Sequence, residues 1–389
     1  MMGGGERPQK FFLGAIDDIL GNGTHEDGEE RPHDEVADPM VTVIVAAYNC
    51  KDYIGECITS LRAQTLESFE CIIIDDASDD GTIRAAAKAI DGDGRFSAYT
   101  MGGNVGPGAA RNQALAKARG RYVMYVDADD SLVPRALEKL VARADAQELD
   151  ELYFSAQSFY EDGAIYDVMN EDFSGRESFK GVVTGRELFT FFSDRGQYFP
   201  QGALRMVRRE LLEREHIRFP EGIIHEDVLY GWRILVASQR SSFLNEPLYL
   251  RRQRAGSIMG ASRRTAENVL GHSICVNQIR AWVAAHASEL DDAFLQAAGR
   301  EVGQWCQCIA RDWAGLDPAE RAAFTAGLTP EERLEFNFFM LGAGQAAERA
   351  AAEWRESQTY KLGDAIARLP RALRIRVRAL LDRRKAIRM

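Results

Sequence analysis

The first third of the chain alternates short blocks of β-branched residues with stretches of helical spacing. VTVIVAAYN, residues 41–49, has the unbroken apolar character of a strand buried on both faces. Ile54, Ile58 and Leu61 then repeat at i, i+4 and i+7, predicting a helix. FECIIIDDASDDGT is a second buried strand ending in an acidic turn, and Ile83, Ala86, Ala87 and Ile90 mark a second helix. RFSAYT predicts a third strand. GPGAARNQALAKARG predicts a helix opened by Gly and Pro and closed by Gly120. RYVMYVDADD is a fourth strand with an acidic end. Leu137, Leu140, Val141 and Ala144 predict another helix, and LDELYFSA another strand.

Strand and helix joined by short connections specify an α/β fold with a mostly parallel central sheet flanked by helices. Ligands of such open sheets bind at the carboxyl ends of the strands. Those ends carry Tyr48-Asn49, Asp75-Asp76 and Asp127-Ala128-Asp129-Asp130. Beyond about residue 160 the alternation fades, and from about 264 to 360 the chain is Ala-rich, charged and helical in pattern. The expected organisation has four parts. Residues 1–39 form a flexible appendage, with Phe12, Ile16, Ile19 and Leu20 at helical spacing before an acidic Gly/Pro-rich linker. Residues 40–260 form the principal domain. Residues 261–362 form a helical C-terminal region, and residues 363–389 a basic amphipathic tail helix.

The charge distribution sharpens this picture. The 389-residue chain carries a formal net charge of −11, a poor fit to a nucleic-acid binder. From Arg368 to the end, however, nine Arg or Lys stand against a single Asp. Leu373, Val377, Leu380 and Leu381 give that stretch an apolar stripe, the pattern of a helix that lies on an anionic membrane surface. A helix docked on the acidic main domain is the alternative. The six cysteines show no convincing zinc spacing and read as small buried residues in a reducing cytosol. The start has no apolar core followed by a cleavage site, and no run reaches the ~20 apolar residues of a spanning helix. A cytoplasmic location is therefore expected, with peripheral contact to the inner face of the cell membrane.

The acidic strand ends carry the candidate chemistry. Alternate residues of an extended chain face the same side, so Asp127 and Asp129 can meet one ligand together. Hard carboxylate oxygens suit Mg²⁺ or Mn²⁺. The competing reading is a turn in which Asp130 or Ser131 caps the next helix. In DDASDDGT a carboxylate can accept the N–H of a pyrimidine base or a ribose hydroxyl, while Ser78, Asp79 and Asp80 equally suit turn and cap chemistry. Asn104-Val105-Gly106-Pro107-Gly108 is a Gly-rich loop leading into Ala110-Arg111-Asn112. Without a GK[ST] ending it is no Walker A loop.

VTVIVAAYN, CIIIDDASDDGT, GNVGPGAARNQALAKARGRYVMYVDADD and FPEGIIHEDVLY occur in an order and spacing that resemble the family 2 glycosyltransferases, over roughly residues 40–260. The resemblance implies a GT-A fold with a helical C-terminal extension. It also implies a metal-dependent transfer, with inversion, from a nucleotide-sugar donor to a sugar or lipid-linked saccharide acceptor in bacterial surface-polysaccharide or glycolipid synthesis. Ala47, Tyr48 and Asn49 would line the nucleotide pocket. Asp76, with Asp75 beside it, would hold the base, and Arg111 would approach the nucleotide or its phosphates. Asp127 and Asp129 would meet ribose and metal, Mn²⁺ or Mg²⁺. Asp227 would be the catalytic base with Glu226 as its neighbour, while His225 is either structural or touches the acceptor. YLRRQRAGSIMG, residues 249–260, resembles a loop that closes on the donor diphosphate, with Arg252, Arg254 and Ser257 as candidates; surface arginines are the alternative. The Q-x-x-R-W motif of processive synthases is missing, which favours single additions. Nucleotidyl transfer and a non-catalytic nucleotide-sugar-binding partner are the competing functions.

Overall fold

The computed structural model describes residues 14–15, 36–160, 179, 181–253 and 265–330, together with 333, 336, 337, 339, 340 and 342. The chain divides into two compact units, Met1–Gly299 and Arg300–Met389. Phe12, Ile16, Ile19 and Leu20, most of the acidic linker, Arg254, Ser257 and the 363–389 tail lie outside the described residues.

The first unit is built on a nine-stranded sheet in the order β1-β4-β3-β2-β5-β8-β7-β9-β6. The strands are β1 Gly14–Ala15, β2 Val41–Ala47, β3 Phe69–Asp75, β4 Phe96–Thr100, β5 Tyr122–Asp127, β6 Ser131–Leu132, β7 Glu151–Tyr160, β8 Arg205–Arg208 and β9 Ser241–Gln253. β4, β3, β2 and β5 run parallel. β8 is antiparallel between β5 and β7, and β9 runs parallel to β7. β1 and β6 are short antiparallel edges. The helices of this part are α1 Ile54–Arg62, α2 Thr82–Ile90, α3 Pro107–Leu115, α4 Ala136–Ala146, α5 Gly185–Ser193, α6 Arg209–Arg214, α7 Glu226–Ala237 and α8 Ala266–His286. α9 Asp292–Gly315 and α10 Pro318–Gly327 follow. Among the described residues no helix is long and apolar enough to cross a membrane.

β2 and β3 are buried along nearly their whole length, which is why their sequences are apolar runs rather than alternations. One face packs Ile44, Ile72, Ile74, Val123 and Tyr125 against Ala110, Ala114 and Leu115 of α3 and against Tyr230 and Ile234 of α7. The two helices that carry the candidate chemistry thus share one core layer with the three strands, β2, β3 and β5, whose ends do.

The helix predicted to run to Gly120 ends at Leu115. The physical reason lies at the amino ends of the strands. Glu70 of β3 accepts hydrogen bonds from Thr42 Oγ1 and Arg119 N, each at 2.7 Å, and from Arg119 Nε at 2.9 Å. Thr42 Oγ1 accepts from Gly120 N at 2.8 Å. Ala116 N still donates to Asn112 O, Lys117 N and Ala118 N tighten to the carbonyls of Ala114 and Leu115, and the next two amides, of Arg119 and Gly120, are taken by the sheet side chains. Gly120 itself sits so close to β2 that a Cβ there would lie 2.3 Å from Thr42 N. We predict that Gly120→Ala lowers stability by about 1–3 kcal/mol through overpacking. Urea denaturation monitored by circular dichroism should show a reduced midpoint with an unchanged m-value.

Candidate active site

The site begins at the carboxyl end of β3, where two adjacent acids do different work. Asp76 Oδ1 accepts from Val105 N at 2.9 Å and Oδ2 from Gly106 N at 2.8 Å, so this carboxylate shapes the Gly-rich loop. Gly106 has φ +89°, a conformation that an L side chain would strain. Asp75 Oδ2 accepts from Ser78 N and Thr100 Oγ1, both at 3.1 Å. Its other oxygen is buried and has no hydrogen-bond partner among the described residues. At the neighbouring end of β2, Ala47 is buried and its carbonyl accepts from Asp76 N. Tyr48 is 53% exposed. Asn49, at φ +46°, accepts from Asp79 N through Oδ1 while its own N–H donates to Ser78 Oγ. Asp80 accepts from Thr82 N at 2.8 Å, in the first turn of α2.

β5 ends at Asp127, whose partly exposed carboxylate accepts from Arg111 Nη2 at 3.0 Å. Asp130, read from sequence as a possible cap, does not serve the following helix. α4 begins at Ala136 without a side-chain cap. Asp130 instead turns inward to β9, accepting from Tyr249 OH and from Arg252 N, both at 2.7 Å. Removal from water, then the nearby charges of Asp127 and Asp129, push its carboxyl well above the usual range. Arg252 reaches the same turn: Nε donates to Asp129 O at 3.0 Å and Nη2 to Glu56. Its guanidinium lies over the rings of Phe159 and Tyr53.

The third component is His225-Glu226-Asp227. His225 adopts φ +69°, and the two acids occupy the first turn of α7, where a helix N-terminus favours negative charge. The preceding 219–222 turn is held by Asn112, which donates to Phe219 O and Glu221 Oε1 and accepts from Phe219 N, each at 2.9 Å. Gly108 allows α3 to approach this turn, since a Cβ there would lie 2.4 Å from Pro220 O. Phe219 stacks on Tyr230 at 3.8 Å and meets the edge of Tyr125. The His225 carbonyl accepts from the Cys275 thiol, and its ring faces His272 at 4.8 Å. Burial and His225 push the His272 imidazole down to about 3.

Arg111 joins these parts. Its Nη1 donates to Glu226 Oε1 at 2.5 Å while Nη2 donates to Asp127. One planar fork thus ties the end of β5 to the start of α7. The Asp227 carboxyl beside it is pushed up to about 7, first by removal from water and next by Glu226, with Asp127 adding to the rise and Arg111 opposing it. Gly202 lies beside Asp227, where an added Cβ would meet the Asp227 Cβ at 3.8 Å.

The structure therefore gathers Asp75, Asp76, Tyr48, Asn49, Arg111, Asp127, Asp129, Glu226, Asp227 and Arg252 at one end of the sheet. Sequence reading missed Asn112 and Tyr249 as builders of this site. A buried aromatic reads as core, and nothing local marks its hydroxyl. Among the described residues no group of three or more His, Cys, Asp or Glu is placed to hold a metal by itself. Asp127 and Asp129 offer the one or two carboxylates that Mg²⁺-type ions use when phosphates complete the shell.

Comparison with known proteins bears on the fold and the family. The family model for glycosyl transferase family 2 matches residues 42–215. Over those residues the chain is similar to the family 2 glycosyltransferases. It is 31% identical over 227 residues to a cholesterol galactosyltransferase of Borreliella burgdorferi, covering 56% of this chain and 61% of that one. It is 29% identical over 262 residues to the succinoglycan biosynthesis protein ExoO of Rhizobium meliloti, covering 66% and 68%. The chain thus spans 61% of the length of the first of these relatives and 68% of the second. S. aureus TarS 1–349, solved in complex with UDP-GlcNAc, aligns at TM-score 0.54 and 22% identity, covering 79% of this chain and 81% of that one. That likeness shows the shared GT-A fold.

The raised Asp227 carboxyl has a stability consequence. A carboxyl whose folded-state value lies above its unfolded one binds extra protons in the native state. Its contribution is fully present below about pH 4 and is lost as pH rises through 7. Asp227→Asn is expected to lack this slope and to be more stable than wild type at pH 8 by about 1–2 kcal/mol, a value discounted for solvent screening. Urea unfolding of both proteins at pH 5 and pH 8 measures the difference.

Proposed function

We propose that this protein transfers a sugar from a nucleoside diphosphate donor, a UDP-sugar, to an acceptor hydroxyl, in single additions with inversion. The carrying observation is the Arg111 fork, which joins the Asp127 strand end to a helix start whose Asp227 carboxyl is tuned close to neutrality. The relatives named as glycosyltransferases support sugar transfer over nucleotidyl transfer. The UDP-GlcNAc complex of TarS supports UDP as the nucleotide. The succinoglycan relative supports a place in bacterial surface-polysaccharide synthesis.

In this reading the unpartnered Asp75 oxygen accepts the base N–H, the exposed Tyr48 ring covers the base, and Asp76 keeps the Gly-rich loop in place. Asp127 and Asp129 hold ribose and a divalent cation. Mn²⁺ or Mg²⁺, bound by these carboxylates together with the donor phosphates, would stabilise charge on the departing diphosphate. Asp227 takes the proton from the acceptor hydroxyl as that oxygen attacks the anomeric carbon. A carboxyl near 7 is a stronger base than an ordinary aspartate and is still ionised enough to act, a balance that contributes about 10²–10⁴-fold. Glu226, neutralised by Arg111, faces the acceptor side without competing for that proton. Arg252, Arg254 and Ser257 remain the proposed diphosphate contacts. Arg252 would act there while its guanidinium also braces the Asp129 carbonyl.

Calorimetry tests the assignment. UDP is expected to bind in the presence of Mn²⁺ and markedly less with excess chelator, and Asp129→Ala should lose the metal-dependent part. Asp227→Asn should retain UDP affinity while sugar transfer falls about 10²-fold or more. Near-normal transfer by Asp227→Asn would move the base elsewhere.

The basic tail supports a second element of the proposal, peripheral contact with the inner membrane leaflet and a lipid-linked acceptor there. Its support is the sequence alone: the dense Arg/Lys with Leu373, Val377, Leu380 and Leu381 in register. The full chain should float with anionic but not neutral vesicles, partly reversed by salt, and deletion of residues 363–389 should abolish flotation while UDP binding persists.

A further inference from the structure

The turn that carries Asp127 and Asp129 holds three carboxylates within four residues, since Asp130 follows directly. Like charges so close repel and favour a splayed turn. What opposes splaying is a clamp from β9. The Tyr249 hydroxyl, fully buried, accepts from Asp127 N at 3.0 Å and donates to Asp130 Oδ2 at 2.7 Å. One oxygen thus spans both ends of the turn. Arg252, three residues further along β9, adds its N–H to Asp130 Oδ1 and its Nε to Asp129 O. Between these residues β9 pairs with β6, Leu132 opposite Tyr249 and Ser131 opposite Leu250, so the clamp is built into sheet register. The turn is closed internally by Asp130 N donating to Asp127 O at 3.0 Å.

We propose that Tyr249 and Asp130 are positioning residues for donor binding: their hydroxyl–carboxylate bond sets the span at which Asp127 and Asp129 meet the metal-bound nucleotide. This rests on the donor and metal reading given above. Neither residue touches the ligand. Asp130 turns its carboxyl inward, away from the role that its position among the acids suggests. Its substitution therefore mimics loss of a ligand while acting through the turn. A mutagenic scan of the acidic motif alone would misassign it.

The test compares two tyrosines that each bind an aspartate from opposite ends of the strand register. Tyr122, at the amino end of β5, donates to Asp145 at 2.8 Å. UDP affinity is measured by calorimetry with Mn²⁺ and with excess chelator, and the ratio is the metal-dependent increment. Tyr249→Phe, which keeps the buried ring, is expected to lower that increment about 10-fold or more, as loss of a partner to metal-binding groups typically does. Its chelator-insensitive affinity should stay within about twofold, because Asp75 and Tyr48 are untouched, and Tyr122→Phe should keep the full increment. Asp130→Asn can accept from only one of Tyr249 and Arg252. It is the second variant should Tyr249→Phe not fold, and it is expected to lose the same increment. An increment undiminished in the clamp variants, or equally reduced in Tyr122→Phe, overturns the clamp and leaves the metal reading intact. A wild-type protein with no increment overturns both.

Discussion

A single guanidinium holds the site together. Arg111 is surrounded by Asp127, Glu226 and Asp227, and its burial would be prohibitive without them. The converse is equally strict. Three carboxylates gathered at the end of a sheet and the start of a helix repel one another or take up protons unless a cation sits among them. Because Arg111 lies on α3, its position depends on everything that places α3: the Gly-rich loop pinned by Asp76, the Gly108 contact with the 219–222 turn, and the Ala110, Ala114 and Leu115 face on the sheet. The Arg fork is therefore both the charge balance of the site and the strut between its halves.

That arrangement assigns different states to chemically similar residues. Glu226 shares the Arg111 charge directly, whereas Asp227, one residue further, is left with burial and repulsion and rises to about 7. Asp75 and Asp76 divide in the same way, one with an unpartnered oxygen and one with both oxygens committed to backbone amides. Asp130 departs from Asp127 and Asp129 by turning to Tyr249. In each case backbone direction and neighbours, rather than residue type, decide the role.

The sheet and the acidic strand ends were legible in the sequence because their signals are local. Runs such as VTVIVAA and FECIIID signal burial on both faces by their unbroken apolar character, and the acids follow directly. The division of labour among those acids was not legible, because it depends on partners far along the chain: Glu226 lies 115 residues from Arg111, and Tyr249 lies 119 from Asp130. The early end of α3 at Leu115 was hidden for the same reason, since Glu70 and Thr42 hold the Arg119 and Gly120 amides from strands far back in the chain while the turn between tightens. A Gly such as Gly120 signals a stop in sequence, while its actual constraint is the approach of β2.

The central claim, that Arg111 balances the carboxylate that acts as base, is tested most directly by the pH dependence of kcat/KM for UDP-sugar turnover. The account predicts an acidic limb near pH 7 in the wild-type enzyme, reporting the Asp227 carboxyl of the free protein. In Arg111→Gln the residual activity should show that limb moved to higher pH, because the guanidinium that holds Asp227 down is gone. A profile flat from pH 5 to 8, or one whose acidic limb does not move on removing Arg111, would contradict it.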